Sequence, residues 1–312
     1  MHSLQLQLED SIEVKTFDVT NVGWRGTGAL TYEDLPLTSD ATKRLCSMIG
    51  LPHTFLSSAS PALARLAVRE FYDRCDRPME AFLAPDHEEI VVGGFAFLDS
   101  IRCGTFEFLE VLRNKGIDFE IAKESIGLSR HSMFLVSPDA YAISDGDDVQ
   151  FGINLISSFD GSSPTKITSS MFRPICTNGM VLSDGSWTLN RRALNSREDV
   201  LLSMLDAATF AFELAPTFHQ KCLELKHHRV DDPISVIHSL GVQHRLPSGM
   251  INKIIESMSI EPDPTMWGVV NAVTRTANHE SNFSTSYGLQ SVGGQVLIDH
   301  ELCGHCGSFN AS

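Results

Sequence analysis

Val149-Gln150-Phe151-Gly152-Ile153-Asn154-Leu155-Ile156-Ser157, followed by Asp160-Gly161-Ser162-Ser163-Pro164 and then Lys166-Ile167-Thr168-Ser169-Ser170, is the stretch that decides the fold. Val149, Phe151, Ile153 and Leu155 recur at period two, the mark of a strand with one buried face. The Asp-Gly-Ser-Ser-Pro run is turn chemistry, because these residues bond their own backbone or accept turn dihedrals. Residues 166–170 are therefore expected to return antiparallel to the strand before the turn.

Working outward, residues 132–136 and 90–97 read as further strands, the latter around Val91-Val92-Gly93-Gly94. Residues 105–112 read as a short helix stopped near Gly116. Ser39 or Asp40 caps a helix through Ile49, ended by Gly50. Ser60-Pro61 is an N-cap followed by proline in the first turn, where its missing N–H costs nothing. That helix, 62–75, is expected to bury Leu63, Leu66, Ala67 and Phe71. The opening segment reads as extended chain at Ile12, Val14 and Phe17, broken by Gly23, Gly26 and Gly28 with a loop at Trp24-Arg25-Gly26.

Beyond residue 195 the periodicity turns helical. Ser196 with Asp199 resembles a capping box, and Leu201, Met204, Leu205, Ala208 and Phe212 follow one face. Pro216 should end or kink that helix. Further helices are expected at 217–226, from Asp232-Pro233 to Leu240, at 248–257, and from Asp263-Pro264 through Trp267 and Asn271. The expected fold is α+β: a mixed, largely antiparallel sheet with helices in residues 1–190, and a helical part in 191–312 packed against it.

The chain has 312 residues, 42% of them hydrophobic and 20% charged, which is ordinary for a globular protein with a substantial core. No apolar run is long enough to span a membrane, and residues 1–8 lack a signal-peptide pattern, so a cytoplasmic protein is expected. Seven cysteines, an odd number spread along the chain, do not form a disulfide framework. Residues 1–160 carry 13 Lys+Arg against 25 Asp+Glu, a balance of −12, and residues 161–312 carry 11 against 14, a balance of −3. Such acidity argues against indiscriminate nucleic-acid binding but leaves room for a local basic groove in the second half.

Four segments carry candidate chemistry. In Arg173-Pro174-Ile175-Cys176-Thr177-Asn178-Gly179 the plain reading is a tight turn in which Asn178-Gly179 supplies positive φ over a buried Cys176. The functional reading uses Arg173 and Asn178 as phosphate or base contacts at a sheet edge. Trp267, Asn271 and Arg275 share a helical stripe, either core packing or a groove wall with Trp267 stacking a base and Arg275 meeting a phosphate. Arg191-Arg192, with Trp187 before and Arg197 after, is the one tight basic cluster with an aromatic, a combination suited to single strands. Cys303 and Cys306 have metal-like spacing, but zinc needs four ligands, so Cys222, His227 or His228 would have to complete the site. A reduced tail without metal is the expectation there, and no cofactor is expected elsewhere. Nucleotide P-loop, zinc-protease and nucleophile-elbow motifs are absent, and no catalytic residue is assigned.

In order and spacing, Ile49-Gly50-Leu51-Pro52, the turn at Asp160-Gly161, Cys176-Thr177-Asn178-Gly179 and Trp267 with Asn271-Ala272-Val273-Thr274 resemble the phage- and plasmid-borne family called domain of unknown function 932. The resemblance runs from about Leu45 to Leu297. It implies a mobile-element protein working on incoming DNA or on host defences, and carries no catalytic role. The expected function is binding of nucleic acid, above all single-stranded DNA, in recombination, annealing or DNA establishment, by an oligomer that uses Arg173, Asn178, Trp187, Arg191, Arg192 and Arg275. The alternative is an anti-defence protein whose acidic half occupies a host defence complex.

Overall fold

The computed structural model describes residues 13–25, 29–86, 89–98, 105–126, 130–158, 164–182, 187–188 and 196–299. Its centre is the alternating stretch of the sequence. In chain order the large sheet comprises β7 (Glu120–Ile126), β8 (Arg130–Ser144), β9 (Asp147–Ser158), β10 (Lys166–Arg173), β11 (Asn178–Val181) and β12 (Trp187–Thr188). The spatial order is β11-β10-β9-β8-β7, every pair antiparallel, with β12 pairing β10 beside β11. Residues 166–170 return against β9 as the sequence predicts, Thr168 opposite Asn154. The turn residues 160–163 lie outside the described residues.

Alternation gives this sheet two unlike faces. One presents Met133, Leu135, Ile153, Leu155 and Ile167 to two helices, α4 (Thr105–Asn114) and α5 (Arg197–Glu213). On the same face Phe151, Met171 and Met180 meet α6 (Ala215–His227), α9 (Met266–Asn278) and α10 (Phe283–Asp299), with α7 (Pro233–Gln243) and α8 (Ser248–Ile260) completing that core. Burying each such side chain stabilises the fold by about 1.5–3 kcal/mol. The architecture is α+β, with antiparallel sheets and helices in both halves.

A third core belongs to residues 17–97. There β1 (Glu13–Thr16), β5 (Met79–Asp86) and β6 (Glu89–Phe97) form one antiparallel sheet, and β2 (Val22–Arg25), β3 (Ala29–Tyr32) and β4 (Leu35–Pro36) another. Helices α1 (Ser39–Ile49), α2 (His53–Ser58) and α3 (Pro61–Cys75) cover them. Phe17 stacks on Tyr32 and meets Phe95 edge-on in its centre. Gly23 and Trp24 lie inside β2 and do not break it: the bare Cα of Gly23 leaves room for Thr31 on β3. Ile12, Gly26 and Gly28 lie outside the described residues.

Most helix starts follow their caps. The side chains of Ser60, Ser196 and Asp232 each accept from the backbone N–H three residues on. Two starts differ from the sequence reading by a residue or two. Thr38, extended and bonded to the Ala41 N–H, caps α1 in place of Ser39 or Asp40, and Thr265 caps α9 through Gly268. Gly50 closes α1 at φ +77°, where only glycine is unstrained. Pro216 stands in the first turn of α6, and the α5–α6 axis bends by 41° there. In α3 the buried residues are Ala64 and Val68, while Leu63 and Leu66 are exposed. Of the expected face, Ala67 and Phe71 are half-buried against this core, while Ala64 and Val68 take the place of Leu63 and Leu66. Among the described residues no single helix is long and apolar enough to cross a membrane.

Helix α10 lies directly on the edge of β11. A Cβ on Gly294 would stand 1.9 Å from the Val181 carbonyl oxygen, backbone against backbone. Gly288, in the same helix, has open space around it. Gly294→Ala is therefore expected to lower unfolding stability by about 1–3 kcal/mol or more through overpacking. Gly288→Ala should raise it by ~0.5–1 kcal/mol through helix propensity. Denaturant unfolding of the two variants side by side checks both signs.

Candidate nucleic-acid interface

Arg173 ends β10 with its side chain on the helix-covered face, 4% exposed. Its Nε donates to Asp147 Oδ1 at 2.5 Å, and its two terminal nitrogens reach Glu261 at 2.6 and 3.2 Å in a fork. Asp147 is also buried, and its second oxygen accepts from Trp267 Nε1 at 3.0 Å. Burial alone would disfavour the Arg173 charge. Hydrogen bonds to Glu261 and Asp147 more than offset it and hold the pKa raised. Arg275 closes the cluster on Glu261 at 3.3 Å. The structure thus brings Arg173 and Arg275 together around one carboxylate, and both already carry acidic partners.

Trp267 is wholly buried, so it belongs to the core and has no face open to a base. Asn271, one turn on, is buried too. Helix α9 buries 11 of its 13 residues, and its threonines stay satisfied by bonding back along the helix, Thr274 to Val270 and Thr276 to Ala272. The corner after Arg173 also differs from the sequence reading. Pro174–Cys176 form one 3₁₀ turn, and the positive φ, +53°, falls on Thr177. Asn178 and Gly179 then pair as strand, opposite Arg173 and Phe172. Cys176 is partly exposed, its sulfur 3.1 Å from Arg173. Asn178 is 3% exposed, and its amide has no hydrogen-bond partner among the described residues.

Aromatic and basic groups meet at the other end of β10. Strand β12 places Trp187 opposite Ile167 and Thr188 opposite Lys166. Lys166 Nζ donates to Tyr287 Oη at 2.9 Å and lies 5.3 Å from that ring's centre. Tyr287 stacks on Phe283, one turn earlier in α10, at 6.0 Å between centroids. Arg191 and Arg192 follow Thr188 by three and four residues and lie outside the described residues. Sequence reasoning missed Lys166 and Tyr287. Phe283 and Tyr287 at i and i+4 were the available signal, but nothing in the sequence ties that pair to β10.

Among the described residues no three His, Cys, Asp or Glu side chains are grouped to hold a metal. Cys303 and Cys306 lie outside those residues. Of their possible partners, Cys222 is fully buried against the Met171 sulfur, its thiol pKa pushed up by burial. His227 is exposed and bonds the Leu223 carbonyl of its own helix.

A family model described as "Domain of unknown function (DUF932)" matches residues 100–235. Over that span, which runs from α4 and the large sheet to the start of α7, the chain is similar to that family. The match includes Lys166, Arg173, Asn178, Trp187, Arg191 and Arg192, and stops short of Glu261, Trp267, Arg275 and Tyr287. Neither a curated protein nor a solved structure matches the chain.

Replacing Arg173 by Met should cost ~3–5 kcal/mol, because Asp147 would keep its charge in the core with only Trp267 to meet it. Arg275→Ala, nearer the surface, should cost under about 1 kcal/mol. Urea unfolding of the two variants measures the contrast.

Proposed function

We propose that this protein binds single-stranded nucleic acid, DNA foremost, as a non-enzymatic factor in recombination, annealing or establishment of a mobile element in the host cytoplasm. The supporting observation is the cluster at the start of β10: a lysine against a tyrosine, that tyrosine stacked on a phenylalanine, and a tryptophan-bearing strand paired alongside. Single strands offer bases to stack and phosphates to neutralise, and this is the chemistry that meets both. Lys166 makes no ion pair with a carboxylate among the described residues, unlike Arg173 and Arg275. The proposed interface therefore centres on Lys166, Tyr287 and Trp187, with Arg191 and Arg192 following Trp187 in sequence, while Arg173, Asn178 and Arg275 stand at the far end of β10 and drop out of it. So few cations give a weak site, and an oligomer would strengthen it by repetition.

One observation favours the second reading, an inhibitor docking on a host defence complex. The outer face of α5 leaves Leu202 and Phe210 about half exposed (49% and 50%) along a stripe with Asp199, Asp206 and Glu213. An acidic, apolar stripe complements a basic protein surface.

Fluorescence anisotropy with labelled single-stranded and duplex oligonucleotides at two salt concentrations separates the readings. Binding should favour single strands. Tyr287→Ala should weaken it by ~1–3 kcal/mol, the value of one stacked base. Replacing Arg191 and Arg192 by Ala should reduce the salt slope by about two, one for each lost phosphate contact. No binding at micromolar protein and low salt would end the first reading and leave the second.

A further inference from the structure

Two exposed side chains of α6, Glu224 and His227, are oriented by their own helix. They stand at i and i+3 and so share a face. Gln220 Nε2 donates to Glu224 Oε1 at 3.4 Å, and His227 Nδ1 donates to the Leu223 carbonyl at 2.6 Å. A carbonyl oxygen can only accept, so Nδ1 carries the proton and the lone pair of the neutral ring sits on Nε2. Lys226, between the two in sequence, is drawn to Asp263 at 3.0 Å.

A groove of about 330 Å³ opens over this face, lined among the described residues by Gln220, Leu223, Glu224, His227 and His228. An imidazole fixed through one nitrogen to a carbonyl, beside a hydrogen-bonded carboxylate, is the way proteins present ligands to a metal. Two ligands alone make no structural zinc site, which takes four.

The chain supplies the other two from close by. Helix α10 ends at Asp299, and just before that end the Ile298 carbonyl accepts from Lys221 Nζ of α6 at 3.0 Å. The chain therefore enters residue 300 beside the same stretch of α6. Cys303 and Cys306 follow, with the spacing of soft-metal ligands. Five and eight residues past Ile298 span up to about 17 and 26 Å. From Lys221 to His227 the path along α6 is only about 9 Å. Cys222, next to Lys221, is excluded as a ligand because its sulfur lies in the core against Met171.

We propose that the groove on α6 is half of a structural zinc site, in which Glu224 and His227 supply two ligands and Cys303 and Cys306 the other two. The metal fastens the segment after α10 across α6 and covers the groove. Both thiols release their protons to solvent on binding, and His227 binds as the neutral ring, so affinity falls as pH drops. The site uses none of the residues of the strand-binding reading and does not depend on it.

The test is titration of the full chain, reduced and under argon, with Co²⁺ and then Zn²⁺, followed by absorption. Thiolate ligation of Co²⁺ gives charge transfer in the near ultraviolet, and four-coordination gives intense visible bands. Both should appear, and Zn²⁺ should bleach them. The double variant Cys303→Ser, Cys306→Ser should abolish the charge transfer. His227→Ala should lose the visible intensity and bind at least ~100-fold more weakly, the upper end of what even an outer contact is worth. Glu224→Gln should bind at least ~10-fold more weakly. Both positions are exposed on a helix, and circular dichroism checks that the variants fold. Chelation should lower the thermal midpoint of the wild type and leave that of His227→Ala unchanged. No uptake of Co²⁺ at micromolar protein, or uptake without charge transfer, would overturn the proposal. So would wild-type spectra and affinity in either His227→Ala or Glu224→Gln, because the metal would then be held without the α6 groove.

Discussion

A single buried carboxylate holds the two kinds of structure in this protein to each other. Asp147 begins β9, and its two oxygens are taken by Arg173 at the end of β10 and by Trp267 in α9. Placing an ion pair in a core is expensive unless the geometry is good and the remaining lone pairs are met. Here both conditions hold, and Glu261 adds a fork on the far side of the guanidinium. The pair thereby sets which end of the sheet faces which helix, something apolar contacts alone specify poorly. Its cost also explains why Arg173 is a poor ligand contact: a guanidinium bound this way has little left to offer a phosphate.

The large sheet is curled, so that Asn278 at the end of α9 bonds both Lys123 on β7 and Thr177 at the corner before β11. This curl has an equally local cause. Strand β8 departs from regular pairing with β9 after Val136 and again after Ala142. Such irregularities increase local twist. Gly152 sits against the first of them, where a Cβ would fall 1.9 Å from the Leu135 carbonyl. A bare Cα is what lets the backbone fold over itself there. The outer face of the curl then carries the helices, and the inner one mixes Phe134, Val136, Ile156, Phe172 and Val181 with serine, threonine, asparagine and lysine.

The central strands were legible because Val149, Phe151, Ile153 and Leu155 obey the simplest periodicity in protein chemistry, and helix starts were legible at Ser60, Ser196 and Asp232 because caps act within three residues. Helix α3 was misread for a related reason. Leu63 and Leu66 look like part of a buried face with Ala67 and Phe71, but only the last two pack on the core, beside Ala64 and Val68. The Thr177 corner was misread because Asn-Gly is the stronger local turn signal, and tertiary pairing drew both residues into β11. What no local rule reveals is long-range partnership. Asp147 gave no sign of Trp267, 120 positions away, and Lys166 none of Tyr287, 121 away. The curled interior was illegible too, since serines and threonines in a strand read as solvent-facing until the bend encloses them.

That same separation along the chain has a consequence for synthesis. A ribosome makes β9 and β10 long before Glu261 and α9, so the nascent sheet holds Asp147 and Arg173 while the surface that will receive α9 and α10 is still bare. Contacts so distant in sequence form late and slowly. During that interval Phe151, Met171 and Met180 are open to other chains, the situation in which chaperones act and truncated products aggregate. The chain cannot cover this surface until α9 and α10 have been made.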